Sequence, residues 1–334
     1  INLATNVSIT ATGGMTINDK IDADDASSND RTLTLNSGTG ATITFNDAIG
    51  GDEALAGLTI TQSDGVTFGS TLDVTDGSSG TFTVTDTEDG SDITFSGAVA
   101  LETVSFAQTG YDLVFNGGGT FTNAATFQNT GTLNLGDASG DSFTFNGGLT
   151  ESTSGTVTLA GSIDSSNDVM TFGAVTLAAA TTLDSNATDG TGDITIGTVT
   201  GSNNNLTLDT TTTTGSAYHI FNGDINLGNG ALDVTGDVVL GANVTVTATA
   251  SSGTGIVFRD KINADNASSN DRTLTLDSGT NSTISLLEAI GDSQALAGLT
   301  ITQSDGATIG DGGQRKDINV NDGSGIITIT DTED

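Results

Sequence analysis

The sequence predicts an all-β protein, a parallel β-helix (β-solenoid) with protruding acidic loops. Three observations lead to this fold class. Short runs alternate apolar and polar residues, glycine-containing turns separate the runs in a chain without proline, and one long segment occurs twice. Together these features are typical of a chain that coils repeatedly, with each coil stacked on the one before.

The alternating runs carry the strand prediction. Runs such as "RTLTL", "ATITF", "GTFTV" and "GTVTL" place Leu, Ile, Val or Phe at every second position, with Thr, Asn, Asp or Ser between them. A period of two directs the apolar side chains to one face of a strand, and helical spacing is nowhere sustained. We therefore expect many short strands, two or three per coil, around a thin core of small apolar side chains.

The turns and the missing proline distinguish a solenoid from its main competitor. Pairs such as Asp64-Gly65, Asn116-Gly117 and Asn222-Gly223 lie between the runs, where a positive φ costs glycine little. A string of immunoglobulin-like sandwiches would need a core aromatic residue such as Trp, and usually Pro in its linkers; the chain has no Trp and no Pro. A solenoid uses nearly every backbone N–H in its ladders and so excludes Pro.

The internal repeat sets the expected organisation. The segment "DKIDADDASSNDRTLTL" begins at Asp19 and recurs as "DKINADNASSNDRTLTL" from Asp260, 241 residues later. Between residues 19–69 and 260–310, 37 of 51 positions are identical. We predict that residues 1–237 form one complete long repeat unit and that residues 238–334 start the next. The inward residues of the two copies are expected to be Leu33, Leu35, Ile43, Leu58 and Ile60, matched by Leu274, Leu276, Ile284, Leu299 and Ile301.

The composition of the chain resembles that of a known class of protein. The Gly-, Thr- and Asn-rich, cysteine-free pattern, with runs such as "GTFTNAATFQNTGTLNLG" from Gly119, resembles the β-strand repeats of large bacterial surface proteins. These include autotransporter passengers and filamentous-haemagglutinin-type adhesins. The resemblance covers the whole chain but is compositional, and it transfers no catalytic or binding residue. It implies a right-handed parallel β-helix displayed outside a bacterial cell.

Charge and composition exclude several functions. The net charge is −35 with seven basic residues, so the chain lacks the cations that nucleic acid or anionic lipid would require. No stretch approaches the ~20 apolar residues of a membrane span. His219 is the single histidine, and no acidic residue is nearer to it in sequence than Asp224; carboxylates abound in the chain, but the basic residues and aromatic platforms of a saccharide-cleaving site are missing. We expect a protein that is not an enzyme. No cofactor is clearly indicated, although Ca²⁺ is a candidate.

The repeated acidic segment is the candidate metal site. Carboxylate oxygens are the ligands that Ca²⁺ prefers, and the second copy exchanges two of its aspartates for Asn263 and Asn266. The alternative is a solvated loop in which Lys20 and Arg31 pair with the carboxylates. The candidate Ca²⁺ ligands are Asp19, Asp22, Asp24, Asp25, Asp30, Asp260, Asp265 and Asp271.

Two main functions follow from these observations. The first is a structural segment of a giant extracellular repeat protein, a rod or filament for surface structure or adhesion, whose partners are neighbouring copies or adjacent repeats end to end. The second is a Ca²⁺-dependent module that cross-links molecules or engages surface glycans. A remote third is ice binding by Thr-x-Thr pairs, whose uneven spacing does not guarantee a common face.

Overall fold

The computed structural model describes residues 1–24, 31–75, 80–152, 155–185, 188, 190–211, 215–265, 272–310, 316–321 and 325–331. The chain forms two compact units: unit 1 is Ile1–Asp164 and unit 2 is Ser165–Asp334. The described residues form strands, turns and bends, with no helix among them. The predicted all-β class is confirmed, and every recorded strand pair is parallel, as in a β-solenoid.

Unit 1 consists of short strands joined by turns. They are β1 (Asn2–Leu3), β2 (Val7–Thr10), β3 (Met15–Ile17), β4 (Asp22–Ala23), β5 (Thr32–Asn36), β6 (Ile43–Phe45), β7 (Gly57–Gln62), β8 (Val66–Phe68), β9 (Leu72–Val74), β10 (Thr81–Val84), β11 (Asp92–Phe95), β12 (Val99–Leu101), β13 (Thr103–Phe106), β14 (Asp112–Phe115), β15 (Gly119–Phe121), β16 (Ala125–Phe127), β17 (Leu133–Leu135), β18 (Ser142–Phe145), β19 (Leu149–Glu151) and β20 (Val157–Asp164).

Each coil of unit 1 visits three sheets in turn. The first sheet stacks β2, β5, β7, β10 and β13. The second stacks β3, β6, β8, β11, β14, β17 and the start of β20. The third runs through bridges between Ile21, Ile49 and Leu72 and continues through β9, β12, β15, β18 and the end of β20. Each coil therefore rises by one inter-strand spacing, about 4.8 Å.

Unit 2 is built in the same way. Its strands are β21 (Met170–Phe172), β22 (Val175–Asp184), β23 (Ile194–Ile196), β24 (Val199–Thr200), β25 (Leu206–Asp209), β26 (Tyr218–Phe221), β27 (Ile225–Gly228), β28 (Leu232–Thr235), β29 (Asp237–Leu240), β30 (Val244–Ala248), β31 (Thr254–Phe258), β32 (Ile262–Ala264), β33 (Thr273–Asp277), β34 (Thr283–Leu286), β35 (Gly298–Gln303), β36 (Ala307–Ile309) and β37 (Ile326–Ile329).

Unit 2 also has three sheets. The first contains the start of β22 and then β24, β27, β30, β33, β35 and β37. The second contains the end of β22 and then β25, β28, β31, β34 and β36. The third contains β21, β23, β26, β29 and β32, followed by bridges from Ile262 to Ile290 and Ile318.

The two sequence copies fold into equivalent coils, each within its own unit. Leu33 pairs with Leu58 on the first sheet of unit 1, and Leu274 pairs with Leu299 on the first sheet of unit 2. Both pairings contain a bulge at the same place, after Leu35 in one copy and after Leu276 in the other. All ten residues predicted to face inward are buried, at most 2% exposed. The strand face read from the alternation is therefore confirmed.

The core of unit 1 is bulkier than predicted. Phenylalanines from successive coils stack on one another: the ring centroids of Phe68 and Phe95 lie 4.9 Å apart, and those of Phe95 and Phe115 lie 4.3 Å apart at an interplanar angle of 2°. Phe82, from the first sheet, meets the Phe68 and Phe95 rings edge to face. The expectation of small core side chains is wrong here, because identical positions of a parallel ladder bring large flat rings into register.

Two different constraints explain the glycines of the corners. Gly65 has a φ of 106°, as the Asp-Gly pair predicts. Gly117 lies outside the positive-φ region, and the Gly118 that follows it takes that conformation instead, with a φ of 71°. A Cβ on Gly117 would collide with the backbone of Gly97 on the preceding coil. The Asn-Gly pair therefore marks a corner, but the reason for its glycine is close backbone approach.

Threonines form aligned columns on the outer surface. Thr34, Thr59 and Thr83 occupy one register position on the first sheet of unit 1. A second column on the second sheet contains Thr16, Thr44, Thr67 and Thr94. The uneven sequence spacing of the Thr-x-Thr pairs is absorbed by corners of different length. Uneven spacing is thus compatible with a common face, contrary to the reservation raised by the sequence.

Candidate functional site

Asp22, the second candidate ligand of the acidic segment, has a hydrogen-bonding role in the fold. Asp22 lies in β4 and is only 7% exposed, and its Oδ1 accepts a hydrogen bond from the backbone N–H of Asp52 at 2.9 Å. Asn263 takes the equivalent place in the second copy, is 8% exposed, and accepts from the N–H of Ser293 at 2.9 Å. The Asp-to-Asn exchange preserves this bond, because it requires only a side-chain carbonyl-type oxygen.

The next acidic residue of each copy is held by arginine. The Asp24 carboxylate accepts two hydrogen bonds from Arg31, both at 2.8 Å, and the bonds from Arg31 hold the pKa of Asp24 below its usual value. Asp265 accepts the same two bonds from Arg272, at 3.0 and 2.9 Å. Such paired bonds fix the geometry of both side chains. The proposed alternative, local pairing of these carboxylates, thus occurs at this position in both copies.

Lysine provides a second contact in each copy. Lys20 bonds to Asp52, and its Nζ lies 3.7 Å from Asp22. Lys261 donates to Asp292 at 2.6 Å. Asp292 aligns with Gly51, one position before the residue that aligns with Asp52. The carboxylate partner has therefore shifted by one residue between the copies while the ion pair is retained.

The remaining candidate ligands are dispersed or lie outside the described residues. Asp19 is exposed, and Asp260 accepts a hydrogen bond from the N–H of Gly236 at 2.8 Å. Asp25, Asp30 and Asp271 lie outside the described residues. Within the described part of the chain, no three acidic or histidine side chains gather in a group that could hold a metal ion. Ca²⁺ binding by the whole loop stays a prediction.

His219 is packed in the core of unit 2. Its ring is 0% exposed because the alternation in β26 turns it inward between Tyr218 and Ile220. Nε2 lies 2.9 Å from the carbonyl oxygen of Thr235 and 3.1 Å from Oγ1 of Thr210. Since a carbonyl only accepts, the proton is on Nε2. Burial lowers the pKa of His219 to about 4, although the Thr235 bond and the Asp209 charge oppose the shift.

The third sheet of unit 2 carries a polar groove that the sequence did not predict. Its volume is about 440 Å³, and its lining comes from four successive coils: those of β26, β29 and β32, and the next coil, which contains Ser293 and Gln294. Tyr218, Asp237 and Lys261 occupy successive strands at its floor, and Asn263 and Gln294 lie at one side. The sequence signal was weak: Tyr218 is an aromatic residue at a polar position of an alternating run.

Comparison with known proteins identifies no relative. No family model matches the chain, and neither a curated protein nor a solved structure is similar to it at a significant level. In the described residues there is also no helix of the length and apolar character needed to cross a membrane.

Proposed function

We propose that this chain is a non-enzymatic structural segment of a giant extracellular bacterial repeat protein, in which stacked coils build a rod or filament for surface structure or adhesion. The observation that carries the proposal is the apolar edge of the first sheet in unit 2. Strand β37 pairs with β35, and Ile327 and Ile329 on it are 51% and 59% exposed.

The first copy indicates what such an edge accommodates. Phe82 on β10 is the equivalent of Ile327 on β37, since each follows the same repeated strand by one coil. In unit 1 the next coil adds β13, which pairs with β10. The ring centroids of Phe106 and Phe82 then lie 6.0 Å apart, and Phe82 is 0% exposed. A coil added to β37 would cover the isoleucines in the same way. Complete burial of an isoleucine contributes about 1.5–3 kcal/mol, and each is roughly half-buried already.

The charge distribution favours growth along the stack. The net charge is −35, and each of the six cations that the structure describes has a carboxylate partner. The sides of the coils therefore carry unbalanced negative charge, which opposes side-by-side association. The edge strand β37 contains only Ile and Thr and has no lysine to discourage pairing. Association by the edges, in one long chain or between copies, is the attractive contact that is left.

Sedimentation tests the proposal directly. Velocity runs on this chain over a hundredfold concentration range should show end-to-end oligomers, seen as linear particles by electron microscopy. Ile327→Lys should abolish them, because a buried lysine charge at the junction costs several kcal/mol. Thr85→Lys is the matched control: it adds the same charge at an exposed corner of unit 1, away from β37, and should leave linear association in place. A strictly monomeric wild-type chain, or equal association in both variants, would refute the proposal.

Ice binding is a second candidate, favoured by the aligned threonine columns. The column from Thr16 to Thr94 presents hydroxyl and methyl groups at regular intervals of one inter-strand spacing, about 4.8 Å. Thermal hysteresis measured on single ice crystals provides the test. Activity should fall in Thr67→Lys, which interrupts the column, and persist in Thr85→Lys at an exposed corner. No hysteresis in the wild-type protein would exclude this function.

A further inference from the structure

The groove on the third sheet of unit 2 is lined by polar side chains together with the ring of Tyr218 and the small apolar side chains of Val239 and Ala264. The outward side chains form two columns: Tyr218, Asp237 and Lys261 in one, Ile220, Val239 and Asn263 in the other. Gln294 lies on the next coil, where its N–H donates to Oδ1 of Asn263 at 3.3 Å and its carbonyl accepts from the N–H of Ala264 at 3.2 Å. The volume of about 440 Å³ lies in the range of small-molecule sites, about 300–1,000 Å³.

Tyr218 is the unusual residue of this groove. Every phenylalanine of the chain, together with Tyr111, is buried in a core, so Tyr218 is the one aromatic side chain among the described residues that faces outward. Its backbone is fixed, since its N–H donates to Oδ1 of Asp193 at 2.8 Å. A half-buried tyrosine on a rigid strand offers a flat apolar face and a hydroxyl group at little entropic cost.

The charges of the groove oppose an anionic ligand. Lys261 is already paired with Asp292 at 2.6 Å, and Arg272 with Asp265 at 2.9 Å. Asp237 is half-buried, and its Oδ1 accepts from the N–H of Lys261 at 3.1 Å. Burial raises the pKa of Asp237, with smaller contributions from nearby carboxylates. The groove thus offers a carboxylate as an acceptor and no unpaired cation among its described residues.

The two copies differ at this groove by three exchanges of a carboxylate for a neutral side chain, while Asp292, the partner of Lys261, replaces Gly51. Asn263, Ser293 and Gln294 replace Asp22, Asp52 and Glu53 of the first copy. All three exchanges substitute a neutral hydrogen-bonding side chain for a carboxylate, and all three lie at this groove. Amides and hydroxyls both donate and accept hydrogen bonds, whereas ionised carboxylates only accept. Such a set matches a ligand that carries many hydroxyl groups.

We propose that this groove binds a neutral saccharide of one or two rings. The C–H face of a sugar ring packs on Tyr218, the Asp237 carboxylate accepts hydrogen bonds from sugar hydroxyls, and Gln294 and Ser293 bond to the remaining hydroxyls. The inference does not depend on the filament role, because the groove lies on the side of the coils and is lined within unit 2. An experiment that disproves saccharide binding would therefore leave the filament proposal standing, and the reverse also holds.

The protein carries its own reporter for the test. It has no Trp and two Tyr, and Tyr111 is buried, so a change in tyrosine emission on ligand addition reports on Tyr218. Cellobiose, maltose, lactose and diacetylchitobiose are each titrated to about 20 mM, a concentration that nearly saturates a site even if its Kd is about 1 mM, a binding free energy of about −4 kcal/mol. At least one should give a saturable change. The charged disaccharide of galacturonic acid should bind at least fivefold more weakly, owing to the Asp237 carboxylate.

Variants identify the site, with affinity measured by calorimetry so that no fluorophore is needed. Tyr218→Ala and Asp237→Asn should each weaken binding at least tenfold, and Tyr218→Phe should retain most of it because the ring face is kept. Thr195→Ala is the matched control, an outward residue on neighbouring β23 that does not line the groove. If none of the four sugars saturates, or if Tyr218→Ala binds like the wild-type chain, the proposal is wrong.

Discussion

Protonation of His219 should destabilise unit 2 as the pH falls below neutrality. The ring is fully buried, and its Nε2–H is used by Thr235, so an added proton must go to Nδ1. Nδ1 has no hydrogen-bond partner among the described residues. The protonated ring would therefore bury both a charge and an unpaired donor. This is the physical cause of a pKa of about 4 in place of 6.5.

The magnitude follows from linkage. The folded-state pKa lies below the unfolded value, so folding favours neutral His219, and its stabilising contribution is complete above pH 6.5 and lost as the pH falls toward 4. Between pH 7 and pH 5 the free energy of unfolding should decrease by about 2 kcal/mol from this residue, and by about 3 kcal/mol below pH 4. Asp193 and Asp237 act in the opposite direction, because burial raises the pKa of each.

Urea unfolding at pH 7 and pH 5, followed by circular dichroism, measures the effect. The decrease in the free energy of unfolding between pH 7 and pH 5 should be about 2 kcal/mol smaller in His219→Gln than in the wild-type protein. This difference does not depend on how stable the variant is at pH 7. Ile220→Thr, an outward change on the same strand, should leave the pH dependence as in the wild type. The reasoning is refuted if His219→Gln and the wild-type protein lose the same stability between the two pH values.

Three further changes test other parts of the fold. Phe95→Ala should lower the free energy of unfolding of unit 1 by about 3–5 kcal/mol, against less than about 0.5 kcal/mol for outward Thr94→Ala, both by chemical denaturation. Gly38→Ala should lower the free energy of unfolding by about 1 kcal/mol, because Gly38 has a φ of 77° but lies in open space. Gly50→Ala, at a φ of 72°, should lower it by at least about 1 kcal/mol more, because the new Cβ meets the Asp73 carbonyl. Equal losses in the two variants would contradict the packing argument. If the acidic segment binds Ca²⁺, about 1 mM of the ion should raise the Tm reversibly against EDTA, and an unchanged Tm with no heat of binding would disprove the metal site.

The fold was predictable because its signals are local. The alternation in "TLTL" fixes which side chains of β5 and β33 face inward, and it needs no knowledge of neighbouring coils. The stacking of Phe95 on Phe115 was not predictable in this way. It depends on which residues of successive coils share a register, and that is set by corners whose lengths differ from coil to coil.

The candidate site was predictable only in part. The pairing of Arg31 with Asp24 joins residues close in the chain, and the sequence already offered it as the alternative to a metal site. The groove brings together Tyr218, Asp237, Asn263 and Gln294, which lie on different coils. No local pattern connects them, since each follows the ordinary alternation of its own strand. Only the register of the third sheet shows that they are neighbours.

Because the corners differ in length, the length of a coil does not determine the register of its strands with those of the neighbouring coils. Met15 pairs with Ile43, and Ile43 pairs with Val66, so neighbouring coils of one sheet contain different numbers of residues and still meet in register. Insertions at a corner lengthen the path around a coil without displacing the residues that stack above and below it. Corners can therefore diverge in sequence and length while the ladders stay constant, and a stack of similar coils can display a different surface segment at each level.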